Sequence, residues 1–194
     1  MNRPLRAPRV DNRLPLLLDE AARLFGSQGF AGTSIRDIVR KVDMLPGSLY
    51  YHFAAKEDLL AAVYEEGVRR ISERVAAAVE DKIHPWQRLE AACVAHLEAL
   101  LEESDYAQVV IRVRPADVPA IGTRLVALRD RYERIFVDLT RALPLPTGTN
   151  RRTLRLMLLG ALNWSQTWYR PGRDDAAAIA RGFVALLRRP LDQE

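Results

Sequence analysis

MLPGSLYYHF, residues 44–53, places a proline and a glycine at the head of a run that carries two tyrosines and a histidine. Just upstream, Ile35, Ile38, Val39 and Val42 form a short helical stripe. Thr33 or Ser34 stands before that stripe as N-cap, with Asp37 as the capping partner. Downstream, Pro46 occupies a first helical position, and Leu49 and Phe53 fall on one side of a second short helix. Only DMLPG separates the two apolar stripes. Two short helices joined by a tight turn and braced by a preceding helix match a helix-turn-helix, whose second helix enters the major groove. A plain hairpin in a helical bundle with half-buried tyrosines has the same spacing, so periodicity alone leaves both readings open.

The chemistry of the decamer suits a DNA contact. Pro46 and Gly47 hold no bulky side chain between the backbone and a ligand. Ser48, Tyr51 and His52 project from the side opposite Leu49 and Phe53, where short or flat groups reach phosphates and base edges.

Working outward, apolar spacing is helical nearly everywhere. Leu17, Ala21, Leu24 and Phe25 define a first helix, with Pro15 in its first turn and Gly29 as its stop. Lys56 to about Asp81 reads as a long fourth helix with Leu60, Val63, Gly67, Ile71, Val75 and Val79 on one face. Pro85 opens another, carrying Trp86, Leu89, Cys93, His96 and Leu100. Tyr106–Val113 is helix or strand by periodicity, and its β-branched residues lean toward strand. We read it as helix because no second strand exists to pair with it. Ile121, Leu125, Leu128, Tyr132, Phe136, Leu139 and Leu143 lie on a long helix that PLPTG (144–148) ends. Asn150 starts a helix bearing Leu154, Met157, Ala161, Trp164 and Trp168. RPG (170–172) breaks it, and Asp174 or Asp175 caps a last helix with Ala180, Phe183, Val184 and Leu187. The expected fold is all-α with about nine helices, divided into a reading head (1–55) and a ligand-binding and dimerisation domain (56–194).

The 194-residue chain is 48% hydrophobic and 28% charged, enough to bury a sizeable core. Of its net charge of +4, residues 1–55 hold eight Lys/Arg against five acids, and the rest hold 21 against 20. The basic excess therefore sits at the front, where Arg3, Arg6, Arg9 and Arg13 precede the first helix, and it suits a polyanion. Cys93 is the lone cysteine, so no intrachain disulfide forms. No run of about 20 apolar residues spans a membrane and no signal-peptide pattern opens the chain, so the cytoplasm is the default compartment. Residues 56–194 contain no phosphate loop, nucleophile elbow or zincin pattern. His84 and His96 are isolated and one cysteine cannot build a metal cage. Neither catalysis nor a cofactor is expected.

The stretch TSIRDIVRKVDMLPGSLYYHFAAKEDLL (33–60) closely resembles the signature of the tetracycline-repressor (TetR) family of bacterial transcription regulators. Thr33, Ile38, Gly47, Leu49, Tyr50, His52, Phe53, Lys56, Glu57 and Leu59 carry the match, and ARLFGSQGFAGTS upstream is similar to the family's first-helix pattern. The resemblance implies that Thr33, Tyr50, His52 and Lys56 anchor phosphates, with Arg36 among the contacts, while Pro46, Gly47, Ser48 and Tyr51 lie nearest bases. Leu49 and Phe53 would be core, and Tyr50 is open to packing with only its hydroxyl offered. Val39, Val42, Asp43 and Leu45 depart from the family's usual small residues, turn glycine and polar cap. Asp43 has to supply the left-handed turn that glycine adopts more easily.

In the second part, His96 is either a hydrogen-bonded core histidine or a polar contact in an effector pocket. Cys93, Val110, Tyr132, Phe136, Met157, Trp164 and Trp168 are either plain core or pocket lining, and Asn163 interrupts an apolar helix. LNWSQTWYRPG (162–172) resembles the C-terminal helices of family members that sense fatty acyl-CoA. Such an effector needs an apolar tunnel and cations for its phosphates, for which Arg112, Arg114, Arg170 and Arg173 are candidates. By the same resemblance, the last two helices pair with a twofold mate, and the homodimer binds a palindromic double-stranded operator until the effector releases it.

Overall fold

The computed structural model describes residues 13–102, 104–173 and 175–191. Arg3, Arg6, Arg9 and the cap candidate Asp174 lie outside the described residues. Nine α-helices account for the described fold, with no strand among them. They are α1 (Leu14–Gly32), α2 (Ile35–Lys41), α3 (Pro46–His52), α4 (Lys56–Val79), α5 (Pro85–Leu101), α6 (Asp105–Arg112), α7 (Gly122–Arg141), α8 (Arg151–Trp164) and α9 (Ala176–Leu191).

Caps explain most of the boundaries. Ser34, not Thr33, caps α2: its Oγ accepts from the Asp37 N–H at 3.2 Å, and Asp37 Oδ2 accepts from the Ser34 N–H at 3.3 Å. Asn150 Oδ1 accepts from the Thr153 N–H at 3.0 Å and starts α8. Asp175 Oδ1 accepts from the Ala177 N–H at 3.2 Å at the head of α9. Leu45, at the N-cap of α3, offers no acceptor and forgoes about 1 kcal/mol relative to serine. Asp43 does take the left-handed conformation, at φ 51°, and Arg13 Nη1 donates to its carbonyl.

Gly29 breaks the helix as expected: at φ 77° and ψ 163° it leaves the helical conformation with a sharp bend, and only a short turn continues to Gly32. The bend loosens carbonyls that other groups must satisfy. Thr33 Oγ1 donates to Gly29 O at 2.8 Å and to Leu24 O at 3.2 Å. Lys56 Nζ, from the start of α4, donates to Phe30 O at 2.8 Å and Thr33 O at 2.9 Å, and lies 4.1 Å from the centre of the Phe30 ring.

Two apolar cores share α4. Leu17, Leu24, Phe25, Ile38, Leu49, Leu59, Leu60 and Val63 pack α1–α3 and the first half of α4 together with Tyr106 and Val109 of α6. Val75, Leu89, Cys93, Leu97, Phe136, Leu158, Leu162, Ala180 and Val184 join the second half of α4 to α5, α7, α8 and α9. The 106–113 run is indeed helical, because Tyr106, Ala107 and Val109 are buried between α1 and α4. The approach of α6 to α4 is tight: a Cβ on Gly67 would lie 2.7 Å from Val110 Cγ2 and 3.1 Å from Tyr106 O.

Candidate nucleic-acid interface and effector core

α3 stands on Leu49, which is fully buried, with Phe53 half-buried beside it. The opposite side is open. Pro46, Gly47, Ser48, Tyr50 and Tyr51 are exposed, Tyr51 by 87%, and His52 is half-buried with its ring edge-on to Tyr51 at 5.3 Å. Arg36 and Arg40 of α2 are exposed on the neighbouring helix. Arg36, Tyr50 and Lys56 also line a surface cleft of about 570 Å³ with Ser34 and Ile35. Aromatic hydroxyls, a serine and arginines thus share one surface, the chemistry that contacts phosphates and base edges.

Thr33 requires a correction. It is 2% exposed and its hydroxyl donates inward, so it braces the α1–α2 junction and is not presented to a phosphate. Lys56 spends two of its three N–H donors on backbone carbonyls, so its first role is to clamp α1 to α4. The motif gave no sign of this, because the accepting carbonyls lie 23 and 26 residues upstream.

In the second core, His96 is the polar centre. Its Nε2 lies 3.0 Å from Asn163 Oδ1 and its Nδ1 lies 2.6 Å from the Tyr132 hydroxyl. A carbonyl oxygen facing Nε2 places the ring proton there, which leaves Nδ1 to accept from the Tyr132 O–H. Tyr132 and Phe136 flank the imidazole, each with its centroid at 5.7 Å. Burial lowers the His96 pKa to about 4, against a smaller opposing pull from Asn163, so the ring is neutral at physiological pH. Burial and Glu90 push the Cys93 thiol up to about 12, leaving a small inert hydrophobe. Val110 is half-buried where the two cores meet.

Met157, Trp164 and Trp168 do not line this core. They are 56%, 67% and 43% exposed, while Leu154, Leu158, Leu162 and Ser165 face inward. α8 carries two apolar stripes about a quarter of a turn apart, and spacing could not tell which one is covered. Among the arginines considered for effector phosphates, Arg112 donates to Gly26 O at 2.8 Å and Arg114 pairs with Asp117 at 3.0 Å. Arg170 and Arg173 are exposed.

One cluster escaped sequence reasoning. Tyr106 on α6 donates its hydroxyl to Asp19 of α1 at 2.9 Å, and the Arg70 guanidinium of α4 lies 4.0 Å from the centre of the Tyr106 ring. With the Arg112–Gly26 bond, it ties α6 to the head at two points. Tyr106 and Asp19 are 87 residues apart, and no local pattern connects them.

Residues 17–63 match the family model described as bacterial regulatory proteins, tetR family, and residues 82–191 match the tetracyclin repressor-like C-terminal domain. The chain belongs to the TetR family. It is 32% identical, over 97% of each chain, to the HTH-type transcriptional repressor KstR2 of Mycobacterium tuberculosis (strain ATCC 25618 / H37Rv). Its TetR fold is also that of the superantigen PfiT (TM-score 0.79, 29% identity, 91% of this chain and 96% of that one). A further structural relative is AibR in complex with isovaleryl coenzyme A and operator DNA (TM-score 0.74, 25% identity, 90% and 97% covered). As a TetR protein, the chain is a helix-turn-helix transcription regulator, and α2 and α3 fall within the matched N-terminal segment. Among the described residues, no helix is long and apolar enough to cross a membrane, and no cluster of His, Cys, Asp or Glu could hold a metal ion.

Proposed function

We propose that this chain is a cytoplasmic, homodimeric repressor that lets go of a palindromic operator when a small apolar effector enters its second core. The observation that carries the reading is α3: seven residues rooted by Leu49, with an open face running from Pro46 to Tyr51 beside Arg36. Tyr51, Ser48, Pro46 and Gly47 lie against the groove, with Tyr50, Arg36, His52 and the remaining N–H donor of Lys56 toward phosphates. We divide the chain into a head at 1–55 and an effector and dimer domain at 56–194, with the two halves of α4 entering two different cores. Regulation, not catalysis, is its task.

Pairing is supported by the apolar outer surface of α8 and α9, where Leu156, Met157, Trp164, Trp168 and Leu186 are exposed. Covering such a face with a second copy removes it from water. Two α3 helices about 34 Å apart then meet successive major grooves of one duplex face. We place the effector site at the core around Cys93, His96, Val110, Tyr132 and Phe136, where a polar chain joins the interior to Asn163 on the exposed side of α8. A CoA thioester such as a fatty acyl-CoA is the effector class we favour, since AibR binds isovaleryl coenzyme A. Entry of an acyl chain would part α5, α7 and α8. α4 and α6 would carry that shift to the head through Gly67, Tyr106–Asp19 and Arg112–Gly26.

Fluorescence anisotropy on duplexes from the chain's own upstream region tests the DNA reading, with light scattering for the dimer. Binding should weaken steeply with added salt as counterions are released. A thermal-shift series of C2 to C18 acyl-CoAs tests the effector: a matched chain length should raise Tm and weaken operator binding. Flat responses across the series would remove acyl-CoA, and no shifted duplex would remove the repressor reading.

A further inference from the structure

Leu45 is anomalous in the reading head. It is 76% exposed, sits at the N-cap of α3 and makes no capping hydrogen bond there. The residue type therefore forgoes two gains at once: a cap, and the burial of its isobutyl group. Nothing within the head offsets either one, since Leu49, Ile38 and Val39 already close the core beneath the turn. The surroundings also disfavour a protein partner for this one side chain. Arg36 and Arg40 of α2 share a surface cleft with Asp43, Met44 and Pro46 on either side of it, and Gly47 and Ser48 follow, exposed. An apolar tip beside two arginines and small residues fits a polyanion that has an apolar spot of its own.

We infer that Leu45 determines base preference by packing its side chain on the C5-methyl group of a thymine in each operator half-site. This rests on the reading of α2 and α3 as the DNA-binding pair. In the major groove the thymine methyl is the one apolar feature among the base edges. Leucine can neither donate nor accept a hydrogen bond. Opposite cytosine, guanine or adenine it would cover N4–H, O6 or N6–H without replacing the lost water, which penalises those bases. Ser48 and Tyr51 reach polar edges and phosphates nearby, so Leu45 supplies selectivity at one position while they hold the register.

The test begins by selecting duplexes from a random library with the full-length protein. In the selected palindrome each thymine is then replaced, symmetrically, by deoxyuridine, which lacks only the methyl. At one thymine position the loss should be about fourfold per half-site, so roughly fifteenfold for the symmetric replacement, as expected for one buried methyl at each. Leu45→Ser, which restores a cap and so should fold at least as well, should bind thymine and deoxyuridine duplexes equally. Reselection with Leu45→Ser should relax the preference at that position alone, while Tyr51→Phe keeps the methyl response. The inference is overturned if no thymine replacement changes affinity by twofold, or if Leu45→Ser retains the methyl response. It is equally overturned if Leu45→Ser changes the oligomeric mass, since Leu45 would then be a protein contact. A library that yields no duplex at all would instead bring down the DNA-binding reading on which this one stands.

Discussion

α3 and α8 are built alike, and the partners we propose for them differ. Each buries one narrow stripe, Leu49 in α3 and Leu154, Leu158 and Leu162 in α8, and each leaves aromatic groups in solvent. Tyr51 is 87% exposed and Trp164 is 67% exposed. The neighbours differ. Around Tyr51 stand Ser48, Gly47 and the arginines of α2, whereas Trp164 shares its surface with Met157, Leu156 and Trp168. An exposed aromatic ring therefore does not itself name a partner. The hydrogen-bonding capacity of the groups beside it does, because DNA presents phosphates and base edges and a second protein copy presents apolar area.

The comparison is most sharply broken at α8. Trp164→Glu places a charge on the apolar face and should convert the dimer to monomer, with operator affinity down on the order of a hundredfold, as for loss of an interface hot spot. Light scattering together with anisotropy checks both halves. A dimer that survives intact would move the pairing surface away from α8.

Next in size is the acid response of the second core. His96 has a folded pKa of about 4 against 6.5 for the free side chain, so the unfolded chain takes up the proton first. Stability is unaffected above about pH 6.5. It is lost progressively as pH falls from 6.5 toward 4, by up to about 3 kcal/mol. His96→Gln should flatten that slope in denaturant melts at pH 7 and pH 4.5, whereas Tyr51→Ala in the head should leave it unchanged.

Lys56→Ala should cost roughly 2 kcal/mol of stability, because two charge-assisted bonds across α1, α2 and α4 are lost. Its operator affinity should recover at a temperature low enough to keep the head folded. Affinity that stays lost in a fully folded variant would make phosphate contact the main role of Lys56. Tyr51→Ala is the mild counterpart: Tm unchanged within about a degree, and affinity lowered about tenfold, as for one hydrogen-bonding contact to a phosphate or base edge. A stability loss in this variant would show that the exposed face of α3 also serves the fold.

Legibility in the sequence followed the range of the interaction. The α2–α3 pair, the Pro46 start of α3 and the buried stripes of α4 and α5 rest on spacings of three and four residues, and they could be read directly. The helix at 105–112 needed one step more, the absence of a strand partner. Gly29 was legible as the break in the first helix, but the turn beyond it, held by Thr33 and Lys56, was not. The inward face of α8 was illegible for a different reason. Leu154, Leu158 and Leu162 compete with Met157, Ala161 and Trp164 at equal helical spacing, and only the packing of α5, α7 and α9 selects between them.

By itself the sequence determined the helical elements, the order in which they follow and the family that the head's motif marks. Those properties reside in neighbours a turn apart, where propensity, caps and periodicity act. The tertiary structure alone decided that Lys56 clamps the junction behind α3, that His96 joins Tyr132 to Asn163, and that Tyr106 meets Asp19. Each of these joins groups 23 to 87 residues apart. Such contacts depend on where the chain returns in space, and no local pattern encodes that return.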